Sequence, residues 1–159
     1  MTIRIICVGK LKQSCYVQAC DEFLKRLSRY AECSVVELPD EKAPETLSPA
    51  QKRMVTEAEG TRILQKIAEG DYVIAMDLGG KQLDSPAMAA FLQAKMSEGK
   101  SKFDFIIGGS LGLSQSVLSR ADFRLSFGAN TFSHQIFRIM LLEQIYRCFK
   151  INANEPYHK

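Results

Sequence analysis

The chain has 159 residues and a mass of 17.8 kDa, about the length of one domain. A hydrophobic fraction of 46% with 25% charged residues excludes a disordered chain, and no uncharged apolar run approaches the ~18 residues that a membrane-spanning helix needs. The formal charge is only +3, yet six of the 21 basic and three of the 18 acidic residues fall at 120–159, which leaves fifteen of each in residues 1–119. Charge gathered at one end of a chain points to a polyanionic partner.

The amino-terminal run Ile3–Gly9 is β-rich and ends in glycine. It carries Arg4 and no small-residue cleavage site, so it does not read as a signal peptide. From Ser14 to Tyr30, Tyr16, Cys20, Phe23, Leu27 and Tyr30 recur at the spacing of an amphipathic helix. Cys33–Leu38 is a second strand, and Pro39–Leu47 a polar loop. Ser48-Pro49-Ala50-Gln51 reads as an N-cap, a first-turn proline and a capping-box glutamine, opening a helix to about Ala68 with Gly70 as its stop. Gly60 inside that helix costs propensity and marks a close packing contact.

Tyr72–Asp77 is apolar on both faces, as a central parallel strand should be, and Leu78–Lys81 turns the chain. Ser85-Pro86 repeats the cap-plus-proline signature for a helix ending near Gly99. Phe103–Ile107 is a strand, Ser114–Ala121 a short helix, Phe123–Phe127 a last strand and Gly128–Phe132 a loop. A long helix runs from Ser133 to Lys150, followed by a polar tail over Asn152–Lys159. With no repeat or linker, residues 1–159 are predicted to form a single α/β domain with a mostly parallel sheet flanked by helices.

Ligands of open α/β sheets sit beyond the carboxyl ends of the strands. Three such ends here are rich in glycine or small residues: Leu78-Gly79-Gly80, Gly108-Gly109-Ser110-Leu111-Gly112 and Gly128-Ala129-Asn130-Thr131. Each glycine alone is explained by a tight turn; three loops from neighbouring strands favour a pocket for a flat or nucleoside-like ligand. The second loop fits neither the dinucleotide nor the P-loop pattern, and Ser110 lacks the nucleophile-elbow context. Two histidines, and five cysteines without C-x-x-C spacing, predict no metal site, reduced thiols and a cytoplasmic location.

His134 stands at the start of the last helix, where the helix dipole disfavours an imidazolium, so a neutral ring that orients a substrate or supports its loop is expected. Arg124 and Arg138 either pair with Asp122 and Glu143 as ordinary surface ion pairs or, with Arg147, Lys150, His158 and Lys159, form a phosphate-binding footprint; Tyr157-His158 either stacks on an unpaired base or belongs to a mobile end.

Seven segments together resemble one known family. They are VGKLK (8–12), PDEKAPE (39–45), EGxRIL (59–64), IGGSxGL (107–113), LSF…TFxHQ (125–135), EQxYR (143–147) and the terminal PYHK (156–159). The chain is similar over its whole length to the ribosomal large-subunit methyltransferase H family of the SPOUT superfamily. The resemblance implies a SPOUT-type α/β fold with a C-terminal trefoil knot. It also implies S-adenosyl-L-methionine as methyl donor, and N3 of a pseudouridine in the helix 69 loop of 23S rRNA as target. Such an enzyme is expected to work as a homodimer on the assembled 70S ribosome, without metal or membrane. Carried over as cofactor residues are Met76, Gly108 and the loop of Phe127, Gly128, Ala129, Asn130, Thr131 and Phe132. Met76 stands where leucine is common, Leu111 where a polar residue is frequent, and Ser133 where proline is usual; serine can cap the same helix.

His134 and Glu143 are the candidate proton acceptors for such a reaction and Arg147 the candidate stabiliser of the anionic base, with solvent as an alternative acceptor. Arg124, Arg138, Lys150, Tyr157, His158 and Lys159 are the candidate RNA contacts. Two rival readings stand beside this one: a SPOUT enzyme acting on tRNA or another rRNA position, and a non-catalytic ribosome-binding or nucleotide-sensing module.

Overall fold

A computed structural model describes residues 1–158; Lys159, one of the candidate RNA contacts, lies outside them. Five strands and five helices alternate: β1 (Thr2–Val8), α1 (Ser14–Leu27), β2 (Glu32–Leu38), α2 (Pro49–Leu64), β3 (Tyr72–Gln82), α3 (Ser85–Ser97), β4 (Lys102–Ile107), α4 (Gln115–Arg120), β5 (Phe123–Ser126) and α5 (His134–Asn152). The sheet order is β2-β1-β4-β3-β5, and every pairing is parallel. All five carboxyl ends therefore meet at one edge.

Strand alternation divides the core in two. Ile3, Ile5 and Cys7 of β1 and Phe103, Phe105 and Ile107 of β4 join Leu141, Leu142 and Ile145 of α5 on one face. Ile6, Val8 and Ile106 meet Ile63 of α2 and Val117 of α4 on the other. The central strands are covered on both faces, which is why they read as continuous apolar runs. At the amino-terminal edge Arg4 donates to both oxygens of the buried Asp104, at 2.8 and 2.6 Å, and to Asp71 at 2.8 Å. This cluster ties β1, β4 and the start of β3 together at the edge opposite the glycine loops.

Several expectations are met closely. The Ser48–Gln51 capping box is present with Pro49 in the first turn. Ser133 caps α5, accepting a hydrogen bond from Ile136 N. Others are corrected. α1 ends at Leu27, three residues before Tyr30, whose ring instead stacks on Phe149 at 5.4 Å. α2 ends at Leu64 because Lys66 and Ile67 take i→i−3 bonds; Gly70 uses its positive φ of 89° in the turn before β3. Asp84, not Ser85, caps α3, and Ser85 Oγ is left to donate to Gln144 at 2.8 Å. α5 continues past Lys150 to Asn152.

The largest correction concerns Leu78–Lys81. The chain bulges away from β5 after Met76 and returns to pair Lys81 with Leu125, so β3 runs on to Gln82. Gly80 makes the return possible: a Cβ there would lie 2.7 Å from the Arg124 backbone.

Gly60 faces Ser114, whose Oγ would be 2.2 Å from an added Cβ. That hydroxyl cannot simply rotate away, because it caps Val117 N and bonds Ser116. Alanine's helix propensity advantage of about 1 kcal/mol therefore opposes an overpacking cost of roughly 1–3 kcal/mol. Gly60→Ala is expected to destabilise the fold by up to about 2 kcal/mol in urea unfolding, and adding Ser114→Ala should recover part of that loss.

Candidate functional site

The bulge of β3 and the carboxyl ends of β4 and β5 enclose one cavity of about 730 Å³. Its walls are residues 76–78 from β3, 107–113 after β4, and 125–128 with 130–134 after β5, closed by Phe137 of α5. Of the predicted cofactor residues, Met76, Gly108, Phe127, Gly128, Asn130, Thr131 and Phe132 line it. Ala129 belongs to the same loop but is not part of the wall.

Local chemistry explains this shape. Gly108 is needed because a Cβ would lie 2.6 Å from Gly112 O where the loop folds back on itself. Gly128 adopts a φ of 124°, and Ser126 Oγ donates to its carbonyl and accepts from its amide, at 3.1 and 3.2 Å. Phe127 and Phe132 flank Phe137 at centroid distances of 5.2 and 6.4 Å, an apolar wall suited to a planar ring. At the rim Asp77 holds the half-exposed Arg124, so that candidate RNA contact sits beside the cavity with its charge partly engaged.

His134, the first residue of α5, borders the same cavity. Its ring lies over Gly9, where a Cβ would be 2.7 Å from Cε1, and Gly9 itself has φ 93°. Nδ1 is buried without a hydrogen-bond partner. Burial, and then the nearby Arg138 cation, push its pKa below the ordinary value; the ring is neutral at pH 7.

Arg138 contradicts the expectation of an RNA contact. It is 1% exposed and donates to Glu37 Oε1 at 2.5 Å and to Gly9 O at 2.9 Å. A guanidinium enclosed this way cannot reach a phosphate.

Glu143 and Arg147 are not brought to His134. Nine residues separate His134 from Glu143, about 13 Å along the helix axis. Glu143 accepts from Arg147 at 2.5 Å and from Tyr157 at 3.0 Å. Tyr157 also packs edge-on against Tyr146, 5.0 Å away, beneath the Arg147 guanidinium at 4.7 Å. Lys150 pairs with Glu155, which accepts in turn from Tyr30 at 2.8 Å. The tail up to Tyr157 is thus fastened to α5, leaving His158 exposed.

A second cavity, of about 700 Å³, lies between α1, the start of α3 and α5. It is largely apolar, bordered by Phe23, Leu83, Met88, Ile139 and the exposed Ile136, with Glu143 at its edge; Ser126 and Phe127 line both cavities. Asp77, Leu78, Ser126 and Phe137 are wall residues that sequence reasoning missed. Only Leu78 carried a signal, as part of a glycine-containing strand end. Among the described residues no group of three potential metal ligands is found, and no helix is long and apolar enough to cross a membrane.

The lowered His134 pKa has a definite sign in stability. Between the folded value and the ordinary 6.5 of the unfolded chain, the unfolded state binds the extra proton. Acidification through that window therefore destabilises the native state, and above it the contribution is complete. His134→Gln should flatten the fall in unfolding midpoint as the pH drops below the ordinary 6.5, and the His134 ring should titrate below 6.5 by NMR.

Residues 1–158 match the family described as Predicted SPOUT methyltransferase. The chain is 55% identical to the ribosomal RNA large subunit methyltransferase H of Carboxydothermus hydrogenoformans and 53% identical to that of Listeria monocytogenes, in each case over 100% of both chains. In fold it is similar to solved methylase family proteins from Haemophilus influenzae and Neisseria gonorrhoeae. The TM-scores are 0.51 and 0.52 at 14% and 12% identity, covering 99% of this chain and 70% and 85% of theirs. By sequence along its full length and by its parallel sheet, the chain belongs to the SPOUT methyltransferase family.

Proposed function

We propose that this chain transfers a methyl group from S-adenosyl-L-methionine to N3 of a pseudouridine in the helix 69 loop of 23S rRNA, on the assembled 70S ribosome in the cytoplasm. The observation that carries this reading is the glycine-walled cavity between the bulge of β3 and the ends of β4 and β5, in a chain like large-subunit rRNA methyltransferases from end to end. The trefoil threading of the family belongs to the same reading.

The cavity fits the donor. Gly108 and Gly128 hold backbone amides and carbonyls where side chains would intrude, the phenylalanines offer a face to an adenine, and the Asp77–Arg124 pair makes the rim polar without net charge. When bound, the donor supplies an activated sulfonium methyl, so no metal is required. The residues of this chain then orient and deprotonate the acceptor. Phe127 to Phe132 and Gly108 to Gly112 hold the reacting partners in line, where proximity contributes much of the rate. His134, neutral and at the edge of the cavity, takes the N3 proton as the base nitrogen gains its methyl bond.

A second copy of the chain covers the apolar cavity around Ile136 and Ile139, forming a homodimer with Glu143, Arg147 and Tyr157 beside the shared surface. Arg124, His158 and Lys159 are the candidate contacts left to the rRNA, since Lys150 is engaged by Glu155.

Methyl transfer should be detected with 70S ribosomes and be far weaker with free 50S subunits; preferential labelling of tRNA would contradict the target. His134→Ala should slow single-turnover transfer by about 10²-fold while the donor dissociation constant stays within about threefold; equal losses would assign His134 to loop support. Sedimentation should show a dimer that Ile136→Asp converts to monomer, and a monomeric wild type would contradict the second copy.

A further inference from the structure

The EGxRIL segment of α2 has no part in the function described so far, yet it holds the least satisfied carboxylate of the protein's interior. Glu59 is 4% exposed. Its Oε1 accepts a hydrogen bond from the Glu41 amide at 2.9 Å, while Oε2 is buried with no partner. The nearest cation on the helix, Arg62, is engaged elsewhere, by the Glu41 carboxylate and by Pro39 O at 3.0 Å.

Oε2 abuts the cavity wall from behind. A Cβ on Gly109 would lie 2.7 Å from it, and Gly109 lines the cavity. Because that residue has no side chain, the carboxylate lies directly against the backbone of a residue that lines the cavity. The approach is fixed on both sides: Gly60 packs on Ser114, and Ser116 donates to Glu57 at 2.8 Å, so α2 cannot slide along the loop.

An unpaired buried carboxylate is costly, and such groups persist where a ligand supplies what the fold omits. The ligand of the proposed function is a sulfonium cation before transfer and a neutral thioether afterwards. We propose that Glu59 is a specificity-determining residue of this cavity, its carboxylate acting through Gly109 to favour the cationic methyl donor over the demethylated product. The inference rests on the methyltransferase reading. It gives the enzyme a means of product release that needs no moving part: the attraction disappears with the positive charge. Burial already raises the Glu59 pKa, with Asp40 and Glu41 adding to the effect against the Glu41 amide and Arg62; a cation in the cavity opposes that shift.

Calorimetric titration of the wild type and of Glu59→Gln with S-adenosylmethionine and S-adenosylhomocysteine, at about pH 8, tests this. The substitution is isosteric and removes a buried charge, so the unfolding midpoint should not fall. The ratio of donor to product affinity should drop by about fivefold or more, through loss of donor affinity. Glu59→Asp, which keeps the charge, should lower the ratio less than Gln does. Equal weakening of both ligands by Glu59→Gln would show a packing role and overturn the inference, as would unchanged binding of both. A wild type that binds neither ligand would instead remove the methyltransferase reading itself.

Discussion

One buried guanidinium fixes the geometry of the site. Arg138 lies inside the protein, and its hydrogen bonds run to the Glu37 carboxylate at the end of β2 and to the Gly9 carbonyl just past β1. Taking a cation out of water costs several kcal/mol, which such partners offset only in a narrow geometry. The first turns of α5 are therefore held against the carboxyl ends of two strands. Everything at that edge follows: His134 is set over Gly9, its ring is kept neutral by burial and by the same cation, and the 127–133 loop ends at a fixed point.

The opposite edge of the sheet is organised by charge as well, with Arg4 between Asp104 and Asp71. Between these two clusters the interior is apolar, and the parallel strands transmit the geometry rigidly. The cavity lies at the carboxyl edge, walled by glycine loops and by Phe127, Phe132 and Phe137. The cavity wall is made of backbone groups and aromatic faces, with the Asp77–Arg124 pair at its rim and the Glu59 carboxylate against Gly109.

Much of this was legible in the sequence because its causes are local. The capping box at Ser48, the cap at Ser133 and the doubly apolar run of β3 each depend on residues within one turn or one strand. The glycine loops after β4 and β5 line the cavity for the same reason, since a missing Cβ acts on its immediate surroundings, whereas Gly79 and Gly80 lie in a bulge of β3 and only Leu78 of that segment reaches the wall. The misses are long-range. The return of β3 after Gly80 depends on the backbone of β5, more than forty residues on. Arg138 looked like surface charge because its partners lie about a hundred residues away and α5 is covered on several sides. Tyr157 was read as free to stack, while in the fold Glu143, Tyr146 and Arg147 hold it. Glu59 was visible only as part of a motif; its meaning needed the position of Gly109.

The central claim is that the bulge of β3 and the ends of β4 and β5 form one donor site. Amide chemical-shift mapping with S-adenosylmethionine tests it most directly. The account predicts perturbations concentrated at residues 76–80, 107–113 and 126–134, with the Arg4–Asp71–Asp104 edge unaffected. Perturbations confined to the apolar cavity between α1 and α3, or none at saturating donor, would contradict it.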